Sequence, residues 1–495
     1  MTVQTATLIL VVLFLWIAAW RLSSMKWRQK LLLIASYVFY AHWGIDFLLV
    51  LIASSLLNYF LGALIRWRRT ASLLWVGIAL NLLLLSFFKY LPPLAQAGGI
   101  DPGQSDLLQR IVMPVGISFW TFQALSYLFD VYREEELNPS LLEFCLYMAF
   151  WPTVLSGPVC RLPEMLPQFR ETRGFNHDDI ALGTTRLIQG LIMKFALAEI
   201  LASGLAPGEG IVAGFDHMKE GWSALDVWLL AIGFGFQLFF DFAGYSHIVI
   251  GTARLFGIRL QENFDRPYLS LTPSVFWTRW HMSLSFWIRD YVFFPLAALR
   301  RDRWWLYVVL ISAMALFGLW HAAKVTFIVW GIYHGLLLVI HRLGQQMKQR
   351  VPLTYSPAMG RLLSWASTFG MVSLGWILFR ANDLDQALLM VGSLFSAHEY
   401  GHLSLPHSLY ILTLSVVIGY FSYEIMRSLL TRWRQNYSSE LSLPTGGVVS
   451  VELFELLRAR VWWWLAPMSF VALTVATIMI FEQSVAVTPF MYTLF

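Results

Sequence analysis

The chain has 495 residues, 58% of them hydrophobic and 13% charged, with a net charge of +5. Soluble domains carry about 25% charged residues, so this chain lacks the polar surface to face water throughout, and a soluble globular enzyme is excluded. Aromatic residues reach 16%, with 23 Trp, which suits the interfacial belts and crowded interior of a polytopic membrane protein; nucleic acid is not an expected partner.

A membrane crossing needs about 20 apolar residues. In chain order the apolar runs are 6–20, 31–42, 47–65, 73–91, 112–131, 182–205, 227–251, 304–320, 325–340, 362–379, 409–425 and 461–481, about twelve crossings. The first run lacks a basic leader and a small-residue cleavage site, so it reads as a span and not a signal peptide. An extra run, 141–157, ends in "WPTVLSGP", and its Pro and Gly breaks fit a re-entrant segment. Cys145 and Cys160 beside it read as small core residues.

Basic residues orient the spans. Arg21, Lys26, Arg28 and Lys30 follow the first run, "RWRR" at 66–69 follows the third, Arg342, Lys348 and Arg350 follow the ninth, and Arg427, Arg432 and Arg434 follow the eleventh. The loops 92–109 and 383–407 hold no Lys or Arg, which puts both termini outside the cytoplasm. The stretch 252–303 carries eight arginines yet is aromatic, so it is expected as buried or re-entrant helices over the cytoplasmic face.

Within that stretch, "FWTRWHMSLSFWIRDYVFFPL" begins at Phe276. On a helix, Trp277, His281, Leu284 and Ile288 share a stripe, with Ser285 one turn beyond His281 and Arg289 and Asp290 two turns further. His281 reads either as a satisfied core histidine or as a functional one. His321, in "GLWHAAKVTFIVWGIYHG", lies at a tight break between two spans. A neutral imidazole there can take a proton from a hydroxyl, because its ordinary pKa of about 6.5 lies near neutrality; the other reading is a structural hydrogen bond. His334 is expected to pack through a polar contact, and His341 to sit at the interface. Asp130, Arg133, Asp241, Tyr245 and Ser246 are costly facing lipid and must face a cavity or one another. No phosphate-binding glycine loop, glycosidase carboxylate pair or serine nucleophile elbow is present, so the chemistry is centred on histidine.

Read together, "MPVGISFWTFQALSYLFDVYR", "FDFAGYSHIVIGTARLFGI", "ENFDRPYLSLTPSVFWTRWHMSLSFWIRDYVFFPL" and "GLWHAAKVTFIVWGIYHG" resemble the membrane-bound O-acyltransferases. They look most like the bacterial branch that contains the membrane subunit of alginate O-acetylation. The resemblance implies an all-α polytopic protein, one domain over 1–495, with helices in a ring around a central tunnel. It implies acyl transfer from a cytoplasmic thioester, acetyl-CoA, to an acceptor reached from the other face of a bacterial inner membrane. The family's histidine matches His321, as general base. A second family position about forty residues upstream matches His281, which would orient the donor or stabilise developing charge. Arg289, Trp280 and Ser285 are assigned to the donor side, Arg289 toward coenzyme A phosphates. No permanently bound cofactor and no metal are implied. The chain departs from the family at His247, where Asp is frequent, and at "WHAAK".

The end of the chain, "PFMYTLF" at 489–495, has the pattern F-x-Y-x-x-F. It resembles the terminus of that branch and of the small membrane peptide of teichoic-acid D-alanylation. Tyr492 is then either an acyl relay entering from outside or an aromatic anchor at the interface. A relay needs a receiver, and the resemblance implies an extracytoplasmic acetyltransferase with a serine nucleophile that passes the group to a polysaccharide. The alternatives are D-alanyl transfer to teichoic acid, a lipid-linked sugar transporter, or a scaffold for polymer export.

Overall fold

The computed structural model of the chain describes Trp16, Leu22 and residues 24–440, apart from 100–110, 134–136, 172–175, 207, 217–222 and 351–355. All regular structure among these residues is helical. Eight helices are long and apolar enough to cross a membrane: Ile45–Arg68, Ala71–Lys89, His177–Ser203, Ala224–Leu255, Arg303–His321, Val325–Met347, Pro357–Arg380 and His407–Leu429.

That is fewer than the twelve apolar runs. Runs 6–20 and 461–481 lie outside the described residues but for Trp16, as does the tail with Tyr492. Runs 31–42 and 112–131 fall in the helices Met25–Ala41 and Ile117–Arg133, of 17 residues each. The second starts late because Pro114 offers no N–H and Gly116 turns the chain at φ 74°. Most of its side chains, Gln123 and Ser126 among them, are buried against other helices. An apolar run marks burial here, and burial inside protein and burial in lipid look alike in composition.

The centre is Ala224–Leu255. Of its apolar stretch 83% is buried within the protein, against 22% for Ala71–Lys89 at the periphery. The central helix starts with a reciprocal cap, the Ser223 Oγ accepting from Asp226 N–H and the Asp226 carboxylate from Ser223 N–H, both at 3.0 Å. The same carboxylate accepts from the N–H groups of Ser404 and Leu405 and from the Tyr410 hydroxyl, tying a distant loop to the helix start.

Arg303–His321 and Val325–Arg350 form an antiparallel hairpin closed by only three residues. Its glycines explain their sequence positions. A Cβ at Gly318 would lie 2.0 Å from the Phe327 carbonyl oxygen, and one at Gly331 2.1 Å from that of Met314. The two backbones touch, as small residues permit between membrane helices.

The stretch 252–303 is broken into the short helices Pro273–Trp277, Met282–Ile288 and Phe294–Ala297, with a π-helical turn at Arg289–Phe293. Run 141–157 is the helix Leu141–Ala149 followed by irregular, mostly buried chain.

Candidate active site

His321 is the last residue of Arg303–His321, about 27 Å along the helix from Arg303 at 1.5 Å per residue. It is 7% exposed. Its ring sits among Trp320 at 4.8 Å, Phe317 at 5.0 Å, Phe379 at 5.1 Å and Trp330 at 5.5 Å between centroids. Helix ends leave their final carbonyls without intrahelical partners. Here the Tyr90 hydroxyl donates to the Leu319 carbonyl at 3.2 Å.

His281 does not lie on a helical stripe with Trp277. It has φ 41°, ψ 55°, the left-handed conformation, between the ends of two short helices. For a residue with a Cβ this costs roughly 1–2 kcal/mol, and such strain gathers at functional sites. Asn263 holds the turn. Its carbonyl accepts from Met282 N–H at 2.8 Å, its Oδ1 from the Ser283 hydroxyl at 2.6 Å, and its Nδ2 donates to Ser246 Oγ at 3.1 Å. Ser283 Oγ in turn accepts from Val159 N–H at 2.9 Å. One buried amide thus joins the turn to the central helix and, through Ser283, to the chain after Leu141–Ala149. Sequence reading passed over Asn263; the only signal was an amide set in the aromatic run "ENFDRPY".

The His281 ring packs edge-on against Phe242 at 4.6 Å, and Trp277, four residues before it, reaches Phe317, whose ring packs on His321, at 5.4 Å. Trp277 bridges toward His334, at 5.2 Å, and Trp330, at 5.8 Å. His334 is buried, and a Cβ at Gly375 would sit 2.6 Å from its Nε2, so the glycine makes room for the ring. The polar contact expected of His334 is not what is found. Neither ring nitrogen of His281 or His334, nor the indole N–H of Trp277 or Trp330, has a hydrogen-bond partner among the described residues. Each unmet buried group costs about 1–3 kcal/mol, and those of His334, Trp277 and Trp330 lie in contact with one another.

The residues expected on the donor side divide. Trp280 packs behind His281 against Trp376 at 4.8 Å and Phe264 at 5.1 Å, and its carbonyl accepts from the Ser285 hydroxyl at 3.0 Å. Arg289 stands apart at the edge, its side chain 49% exposed and its Nε donating to Asp290 Oδ1 at 2.7 Å. Arg161 donates to the other oxygen of Asp290 at 2.9 Å. The polar residues read as costly in lipid meet partners outside their own set. Tyr291 donates to Asp130 at 2.7 Å, Lys194 pairs with Asp241, and Ser246 meets Asn263. His247, at the position of departure, shares a hydrogen bond with Arg186 at 2.8 Å.

The description of the membrane-bound O-acyltransferase family matches residues 5–382, and that of a family of unknown function matches residues 449–495. A Pseudomonas putida protein named "Probable alginate O-acetylase" is 36% identical over 392 residues, 77% of each chain. A peptidoglycan O-acetyltransferase of Helicobacter pylori is 32% identical over 389 residues, 72% of each chain. A teichoic acid D-alanyltransferase of Streptococcus thermophilus is 32% identical over 303 residues, 56% of this chain and 71% of its own. With a buried histidine pair inside a bundle of membrane-length helices and a family match over most of its length, this chain belongs to the membrane-bound O-acyltransferase family and is a multi-pass membrane acyltransferase.

Proposed function

We propose that the protein transfers acetyl groups from cytoplasmic acetyl-CoA, through a tunnel ringed by its helices, for O-acetylation of an extracytoplasmic polysaccharide. The observation that carries this reading is the buried His321 at the end of the hairpin helix, ringed by aromatic side chains, with His281 buried on the segment whose Trp277 packs on the same aromatic wall. His321 takes the proton of the acceptor hydroxyl as the oxygen attacks the thioester carbonyl. The tetrahedral intermediate collapses, the C–S bond breaks, and the leaving thiolate recovers the proton from the imidazolium. His281, with both nitrogens uncommitted among the described residues, orients the thioester or stabilises the oxyanion. Trp280 and Ser285 shape the wall behind it, and Arg289 meets the donor phosphates at the edge.

The acceptor in this reading is Tyr492, with both termini on the outer side of the inner membrane. Its phenol takes the acetyl group as an ester. A serine hydroxyl of an extracytoplasmic partner then attacks that ester, the phenol leaves with its proton, and the partner delivers the group to the polymer. The acetyl-transferring relatives cover 72–77% of this chain and the D-alanyl one 56%, which supports acetyl over D-alanyl.

The test is to incubate the purified full chain with isotopically labelled acetyl-CoA and map the label by mass spectrometry. Label on Tyr492 that disappears in His321→Ala supports donor, base and relay together. An unlabelled protein that still acetylates polymer with its partner removes the relay and leaves direct transfer. Label that persists in His321→Ala removes the base.

A further inference from the structure

Ala71–Lys89 is a peripheral helix, yet it ends in a lysine that points into the protein. Lys89 Nζ donates to the Trp320 carbonyl and, at 3.3 Å, to the Ser118 hydroxyl. It also lies 5.0 Å from the centroid of the Trp320 ring. The next residue, Tyr90, donates to the Leu319 carbonyl at 3.2 Å. Two consecutive residues of one helix end therefore take up two consecutive carbonyls of another, in the turn that finishes at His321. A lysine within membrane helices is expensive, and such residues mark function by default.

The site of contact says what this lysine does. The end of a helix carries the equivalent of about −0.5 charge on its open carbonyls. In Arg303–His321 that end lies beside the proposed base. Uncompensated, it opposes the negative charge that forms on the thioester oxygen during attack. It also leaves the last turn free to fray, and with it the orientation of the imidazole. A hydrogen-bond donor seated on the Trp320 carbonyl answers both.

We infer that Lys89 is a positioning residue of the acyl transfer: its Nζ donors lock the last turn of the hairpin helix, fixing His321, and offset the negative helix end beside the reacting carbonyl. This rests on His321 being the base. Tyr90 supports the same turn as a neutral donor. Neither residue touches the donor in this account, so their loss slows the chemistry and leaves donor affinity alone.

The experiment measures label transfer from acetyl-CoA into polymer in native membranes holding the full assembly, for Lys89→Met, Lys89→Arg, Tyr90→Phe and His321→Ala. Misplacing a reacting group by about 1 Å costs about 100-fold. Lys89→Met is accordingly expected to lower kcat by about 100-fold, with KM for acetyl-CoA within about twofold, a pattern of interactions made only in the transition state. Lys89→Arg, which keeps a cation and a donor, is expected to recover at least about a tenth of the wild-type rate. Tyr90→Phe is expected to lower kcat by about three- to tenfold, one neutral hydrogen bond, and keeps the proposal testable where Lys89→Met fails to accumulate. A near-normal kcat in Lys89→Met, a loss carried by KM, or an Arg variant as inactive as the Met variant overturns the inference. Full activity in His321→Ala overturns the reading beneath it; an inactive His321→Ala beside a normal Lys89→Met overturns the inference alone.

Discussion

The two histidine-bearing regions are held in place by opposite means. His321 ends a regular helix whose partner touches it backbone to backbone at Gly318 and Gly331. His281 sits in a strained left-handed turn held by side-chain hydrogen bonds around Asn263. One position is set by packing over many residues, and the other by a single buried amide. Packing tolerates no intrusion but needs no particular polar group. The amide network tolerates no loss of a partner, because each orphaned buried group is then unmet.

Substitutions can break this contrast. The largest effect is expected for His321→Ala, which removes the proposed general base and should lower kcat by about 10³-fold with folded yield unchanged, measured as label transfer beside thermal stability. Gly331→Leu attacks packing instead. It overfills a backbone contact at a cost of about 3 kcal/mol, so folded protein in detergent should fall sharply, read by size-exclusion yield. Asn263→Ala should lower kcat by about 10- to 100-fold through misplacement of His281, and lower stability by about 2 kcal/mol, read by paired kinetics and melting. If Asn263→Ala melts earlier yet keeps its kcat, the turn is structural and His281 has no part in the chemistry. If Arg289 meets the donor as proposed, Arg289→Ala should raise KM for acetyl-CoA by about tenfold and leave kcat near normal, the pattern of lost binding common to ground and transition states. Ser285→Ala should change least, by about 1 kcal/mol of stability, as one half-buried hydroxyl bond to the Trp280 carbonyl is lost.

The hairpin was legible in the sequence because its information is local. Run 304–320 matches the helix Arg303–His321, run 325–340 matches the start of its partner, which continues to Arg350, and "HAAK" marks the break between them. The region around His281 was not. A helical stripe from Trp277 through His281 assumes an unbroken helix, whereas Asn263 pairs with Met282 and Ser283 and diverts the chain. No periodicity reports a contact made through a side-chain amide across about twenty residues of sequence. Lys89 was hidden for another reason: it falls inside run 73–91, where one cation hardly changes the average, and its meaning appears only when Trp320 lies opposite. The polar residues Asp130, Asp241 and Ser246 were readable as a class, since lipid forbids them, but their partners Tyr291, Lys194 and Asn263 come from other elements.

The most direct measurement is a single turnover. Membranes that retain the acceptor are mixed with sub-stoichiometric labelled acetyl-CoA and quenched over milliseconds to minutes, for the wild-type chain and His321→Ala, with donor affinity measured in parallel. The account predicts equal donor affinity and thioester cleavage slowed by about 10³-fold in the variant. Cleavage at the wild-type rate, or a loss that appears only as weakened donor binding, would contradict it.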